Sequence, residues 1–435
     1  MQSIPPITVH RIKSALRANW RRPAVGIVAA LLIVTGFAQP WHHAAPSMSS
    51  TATSTTASSS TAGSKASPNN ASPNNPAVAG TIAINATTTA KVPGKAPKMP
   101  WPSTGQAGIS LVGPGVLGVS GKQVAVPTAS MAKAMTAYIV LKDHPLKGAG
   151  ANGPTIHVTK AEADVVNLNI RQDQQVLRVR AGEGMSEKQA LNALMLKSAN
   201  NVARILARWD AGSIPAFLTK MNKTAAQLGM KSTHYTDPSG WAASTKSTTK
   251  DQMTLAEAAM KRSDFSRVVS TRSAVVPIEG RIKNVNQLLG QDGIVGIKTG
   301  SMSAAGGCLM FAAKQKIAGQ TVTIVGTVMG QRSGRIGDLH QAFASSKTLV
   351  EGIQRVIHSH GVIKAGSVVA TLSGTHQEIV ATKPVSVVGW AGMKYTKTVK
   401  VSVKPSTKAG TKVGTLTVVG GAKVTVPVAL KDAPQ

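Results

Sequence analysis

One cysteine, Cys308, is all that the 435 residues contain. It cannot close an intramolecular disulfide, so the fold is not stapled. In the apolar stretch G-G-C-L-M-F-A-A it reads as a buried structural thiol. Aromatic residues make up 3 % of the chain, too few for the stacking platforms that hold single-stranded nucleic acid. Zinc-finger spacings and RNP-like segments are also missing, which excludes nucleic acid as the expected partner. Acidic residues are scarce, 17 against 49 Lys+Arg, for a formal net charge of +32. Such an excess collects on polyanions, and an anionic cell wall or membrane surface fits it. The close pairs His42-His43 and His358/His360 come without further ligands, so no metal and no cofactor is expected. Nothing in the pattern specifies an oligomeric state.

What is present divides the chain. Arg11, Lys13, Arg17, Arg21 and Arg22 precede a charge-free run from Ala24 to Ala38. As a helix that run spans about 22 Å, short of a hydrocarbon core of about 30 Å. Its length favours a signal-peptide core, while Trp20 and Trp41 flank it as interfacial anchors do. Residues 1–43 are therefore expected to be a signal peptide or an N-terminal membrane anchor, leaving the remainder extracytoplasmic. Residues 44–106, rich in Ser, Thr, Ala, Pro and Asn, carry a duplicated A-S-P-N-N and almost no large apolar side chains. They read as a disordered linker with reach into a wall.

Residues 107–358 show strand-like, Gly-punctuated sequence at both ends and helical periodicity between. The expected elements include helices from Ser130 to about Lys142, Val202 to Trp209, Ile214 to Leu228 and Gly337 to His358. A strand is expected at Val176–Arg180, and others at Cys308–Ala313 and Thr321–Met329. Ser186 and Gln189 have capping-box spacing. This is an α+β arrangement with a helical lobe inserted into a sheet. Residues 361–435 are Val-rich runs separated by Gly, Pro and Lys, the pattern of a small all-β domain acting as spacer or binding module.

Three motifs carry chemistry: Ser130-Met131-Ala132-Lys133, Ser198-Ala199-Asn200 and Lys298-Thr299-Gly300. Residues i and i+3 of a helix share a face, which sets Lys133 beside Ser130. A serine hydroxyl needs a base to become a nucleophile. Lysine serves when desolvation and a second cation lower its pKa, and Lys298 supplies that cation if its strand packs alongside. Ser198 is expected to relay the proton to the leaving amine and Asn200 to hold the substrate's amide carbonyl. Lys298 and Thr299 are expected to grip a carboxylate, with Gly300 letting the strand come close. The backbone N–H groups of Ser130 and Ser301 would form an oxyanion hole. Each motif alone is common. Their joint order, together with export, makes the set specific; it is the signature shared by class A β-lactamases and penicillin-binding proteins.

At these residues the chain resembles the D-alanyl-D-alanine carboxypeptidases of the S11 peptidase family, the low-molecular-mass penicillin-binding proteins. The resemblance covers roughly residues 107–358. It includes P-T-A-S-M-A-K-A-M-T-A-Y, G-E-G-M-S-E-K-Q-A-L-N-A-L-M-L-K-S-A-N-N, H-Y-T-D-P-S-G-W and G-I-V-G-I-K-T-G-S. It implies a β-lactamase/penicillin-binding-protein-like catalytic domain, an antiparallel sheet with a helical lobe, followed by the small β-rich domain. It further implies removal of the terminal D-Ala from peptidoglycan stem peptides through an acyl-Ser130 intermediate, in cell wall biogenesis and cell shape, with β-lactams as covalent inhibitors. It suggests Arg335, with Arg332 second, as a further ligand of the substrate carboxylate. Ala132, Asn201 and Met302 depart from the common pattern, and Met302 bears on the pocket wall. Transpeptidation or endopeptidase action is the nearest alternative. A β-lactamase needs a glutamate between the second and third motifs; the first after Ser198 is Glu257, in an L-A-E-A-A run that lacks the pattern of that role. A non-catalytic wall-binding protein would have no use for the intact motif set.

Overall fold

The computed structural model describes residues 81–373 and 375–431. The expected export segment, and the expected linker up to residue 80, lie outside the described residues. Strands β1 (Ile82–Lys91), β2 (Gln106–Leu111) and β3 (Gly115–Ser120) come first. Helices α1 (Lys133–Asp143), α2 (Glu187–Leu196), α3 (Asn200–Ala211), α4 (Ile214–Gln227) and α5 (Thr249–Met260) follow, with short helices at Lys160–Asp164, Val166–Arg171 and Ser263–Val269. The chain then returns to strands β4 (Ile294–Met302), β5 (Gly306–Ile317) and β6 (Gln320–Gln331), and to helix α6 (Asp338–Gln354). Beyond these lie β7 (Val368–Thr371), β8 (Glu378–Ala381), β9 (Lys394–Val403), β10 (Lys412–Gly420) and β11 (Ala422–Leu430).

Strands from both ends of the catalytic region form one antiparallel sheet in the order β4-β5-β6-β2-β3. Alternation along β5 shows how it is covered. Cys308, Met310 and Ala312 join the core of the helical lobe with Leu255 and Ala256 of α5. Leu309, Phe311 and Ala313 join a second core with Phe343 and Leu349 of α6. A strand sends successive side chains to opposite faces, so an uninterrupted apolar run becomes a strand buried on both sides. Cys308 sits in that run, fully buried, its thiol pushed up to about 11 by desolvation.

Local signals set the helix ends. Ser186 Oγ accepts from Gln189 N at 3.2 Å while Gln189 Oε1 accepts from Ser186 N at 2.9 Å, a complete capping box that opens α2. At the other end of α3, Gly212 adopts φ +76°, the left-handed turn that glycine allows.

Three expectations are corrected. Val176–Arg180 is no strand: Asn201 takes both backbone groups of Leu177, at 3.0 and 2.8 Å, and Glu279 accepts from Arg178 N at 2.7 Å. With side chains satisfying its backbone, the segment needs no strand partner. The final helix ends at Gln354, and His358–Ile363 is a strand paired with Val385–Gly389 across the expected domain boundary. The linker does not run to residue 106. Residues 82–91 form β1, paired in register with β9 in the sheet β1-β9-β10-β11-β8-β7. An edge strand needs only one apolar face, here Ile82, Ile84 and Ala90, and its other residues read like linker.

Candidate active site

Ser130 lies in a 3-10 turn, Ala129–Ala132, that runs into α1. The turn is entered through Ala129 at φ +47°, left-handed backbone that a β-carbon disfavours, and two glycines hold it there. A β-carbon on Gly240 would stand 1.9 Å from Ala129 O, and one on Gly300 would stand 3.1 Å from Ser130 N and from Thr128 O. Gly300 thus brings β4 against the serine's own backbone, with Ser301 next along the strand and opposite Gly307 of β5.

One turn along, Lys133 is fully buried. Its Nζ lies 2.9 Å from Ser130 Oγ, 2.6 Å from Asn200 Oδ1 and 2.8 Å from the carbonyl oxygen of Ser239. Desolvation lowers its pKa well below the ordinary lysine value, and the Lys298 charge lowers it further; Asp237 opposes and Arg204 adds a smaller push downward. A neutral amine has two N–H bonds and one lone pair. Asn200 Oδ1 and Ser239 O can only accept, so they take both N–H bonds. The lone pair is left for the Ser130 hydroxyl, the orientation a general base requires.

Asn200 is held in turn, its Nδ2 donating to Gln174 Oε1 at 3.2 Å, and Arg204 donates to the same oxygen at 3.3 Å. The sequence reading gives Asn200 to the substrate's amide carbonyl, a role for its Nδ2 donor; in the structure Oδ1 accepts from Lys133 and one Nδ2 hydrogen goes to Gln174, which leaves the other for a bound group. Ser198, between α2 and α3, is nearly buried and has φ +67°. Its hydroxyl makes no hydrogen bond among the described residues, which leaves it available to a bound group.

Lys298 on β4 is buried, and burial brings its pKa to about 7. It donates to Thr299 O at 3.1 Å and Thr299 Oγ1 at 3.3 Å, with no carboxylate partner among the described residues. Arg335 stands exposed in the loop between β6 and α6 without a polar partner there. Arg332 of the same loop pairs with Asp338 at 3.0 Å and packs against Gly306, whose strand partner is Met302. Glu257 on α5 accepts a hydrogen bond from buried Ser110 of β2, a structural engagement.

The residues missed in the sequence are Gln174, Asp237 and Ser239. Asp237 accepts from Ser239 N at 3.1 Å and Ala242 N at 3.2 Å, and from Trp241 N. It thereby shapes the turn that aims the Ser239 carbonyl at Lys133 and the Pro238 carbonyl at Thr136, 2.7 Å away. An Asp-Pro-Ser-Gly run is a recognisable turn. That its carbonyl would meet a lysine 106 residues earlier in the chain is written only in the tertiary structure.

A half-buried serine beside a buried lysine, against an antiparallel sheet whose edge strand carries a second buried lysine, has the parts that serine acyl transfer requires. Residues 115–333 match the family model Peptidase_S11, D-alanyl-D-alanine carboxypeptidase. The chain is 33 % identical over 223 residues to the D-alanyl-D-alanine carboxypeptidase of Streptomyces sp. (strain K15), covering 47 % of this chain and 73 % of that protein. It is 30 % identical over 206 residues to the D-alanyl-D-alanine endopeptidase of Haemophilus influenzae, covering 46 % and 66 %. Among solved structures, the D-alanyl-D-alanine carboxypeptidase DacD from Francisella tularensis aligns with 78 % of this chain and 95 % of its own, with TM-score 0.53 and 18 % identity, a likeness of fold. This chain belongs to the S11 family of serine D-alanyl-D-alanine peptidases.

Proposed function

We propose that the chain removes the terminal D-Ala of peptidoglycan stem peptides by way of an acyl-Ser130 intermediate, outside the cytoplasm where that substrate is found. The observation that carries this reading is the Lys133 amine, buried, its pKa lowered by desolvation, and held by two acceptors so that in its neutral form the lone pair faces Ser130. Lys133 takes the hydroxyl proton as Ser130 Oγ attacks the carbonyl of the penultimate residue. The oxyanion that forms is met by the N–H groups of Ser130 and Ser301. Collapse breaks the amide bond, and the leaving D-Ala amine receives the proton through the Ser198 hydroxyl. Water then attacks the ester with Lys133 again as base, and the proton returns to Ser130. Lys298, charged when it meets an anion, pairs with the substrate carboxylate alongside Thr299, and Arg335 closes on the same group from its loop. β-Lactams acylate the same serine.

A fluorescent penicillin tests the site. The wild-type chain is expected to label covalently, while Ser130→Ala and Lys133→Ala remain unlabelled with unchanged circular dichroism. Lys298→Ala is expected to raise KM for a pentapeptide more than it lowers kcat. Label persisting on Ser130→Ala would overturn the assignment. Endopeptidase action, favoured by the likeness to the H. influenzae protein, uses the same acyl-enzyme. Release of D-Ala from a pentapeptide, compared with cleavage of a cross-linked dimer, separates the two.

A further inference from the structure

The β1-β9-β10-β11 sheet has one face packed on the second core and one face open. Register places the open face in rows across the strands. One row is Thr87, Thr398, Thr417 and Thr425, with Oγ1 atoms 2.9 Å apart between the first two and 3.0 Å apart between the last two. The row on one side is Asn85, Lys400, Thr415 and Pro427; on the other it is Thr89, Thr396, Val419 and Lys423. Beyond that stands the pair Lys91 and Lys394. At ordinary strand spacing the array measures roughly 14 Å by 20 Å. It holds no aromatic and no carboxylate.

Threonines alone suit any solvated sheet face. The lysines do not fit that account. Lys91 and Lys394 are directly opposed on neighbouring strands, an arrangement of like charges that weakens a sheet. Neither is relieved by an acid: among the described residues, Lys91, Lys394, Lys400 and Lys423 have no carboxylate partner. Residues 358–435 hold ten lysines, no arginine and two acids, Glu378 and Asp432, and Glu378 is engaged by Lys431. Point-charge ammonium groups amid hydroxyl donors suit phosphate oxygens met in varying orientation, whereas planar carboxylates favour the arginine fork. The absence of exposed aromatic or large apolar anchors, Val419 apart, argues against insertion into a bilayer.

We infer that this face binds a linear polyanion of repeating phosphodiesters, which lies across the threonine rows with its charges against the four lysines. β1, supplied from the region before the catalytic domain, completes the surface and contributes Lys91.

The test is binding of the full chain to poly(glycerol phosphate) over a range of salt, with the variant K91T/K394T/K400T/K423T and a control, K122T/K147T/K231T, that removes exposed lysines elsewhere. The face variant is expected to lose at least tenfold in affinity at 0.1 M salt. Its log K against log salt slope should fall by about 0.7–0.9 for each lysine that neutralises a phosphate. The control should change affinity less than twofold. The face variant should also melt no lower than wild type and acylate with penicillin at the same rate, since its lysines repel one another and lie outside the site. Equal losses in the two variants would reduce the effect to net charge and overturn the proposal. So would equal binding of poly-L-glutamate, or stronger capture by phosphatidylglycerol vesicles than by the polymer.

Discussion

Two lysines in one site are needed in opposite states. Lys133 has to be neutral to accept the serine proton, so kcat/KM is expected to rise as pH climbs through its lowered pKa. Lys298 has to be charged to hold a carboxylate, and that pairing is lost as pH rises through about 7. The profile for the free enzyme should be a bell with its alkaline limb near neutrality. Lys298→Arg keeps a cation at every working pH and should move that limb upward; an unmoved limb would remove Lys298 from the explanation. Glu187 is a third displaced residue. Burial first, then Asp264 and Asp210, raises its carboxyl to about 7, and its Oε1 has no partner among the described residues. A raised carboxyl stabilises the fold below the unfolded value near 4.5, and that contribution is lost as pH rises to 7. Glu187→Gln should therefore add roughly 1–2 kcal/mol at pH 8 and little at pH 4, measured by urea melts at both.

The Asp237–Ala242 turn is a small element with one task. Its aspartate gathers backbone N–H groups so that two consecutive carbonyls point at α1. Asp237→Ala frees that turn and should slow penicillin acylation about 100-fold, since misplacing a reacting group by about 1 Å costs that much. Asp237→Asn preserves shape better but removes a charge that raises the Lys133 pKa. Its acid limb should shift to lower pH, whereas a purely structural role would lower the whole profile without moving it. Gly240 and Gly300 belong with this turn: each lets backbone approach Ala129 and Ser130 more closely than a side chain permits.

For the whole molecule, β1 joins the N-terminal region to the β-rich module. Val92 exchanges backbone hydrogen bonds with Met393 and Gly392, and Trp101 then lies against Gly118 of β3. A chain beginning at Val92 leaves the β9 edge unpaired. It should melt roughly 5–10 °C lower and self-associate at high concentration, while acylating Ser130 at the wild-type rate. Calorimetry, light scattering and penicillin labelling check the three outcomes.

The sequence determined the local matters: a capping box at Ser186, the strand-like runs of β5 and β6, and a serine and a lysine one helical turn apart. These depend on neighbours within a few residues, so residue type and spacing suffice. The three motifs were legible because their chemistry needs particular side chains. Only the tertiary structure decided the rest. The strand expected at Val176 is a loop because Asn201 satisfies its backbone. β1 is a strand because β9 lies beside it, and Asn200 faces Lys133 because Gln174 holds it there. In each case the deciding partner is distant in the chain, and a hydrogen bond or a lost hydration shell has no signature until both groups are in place.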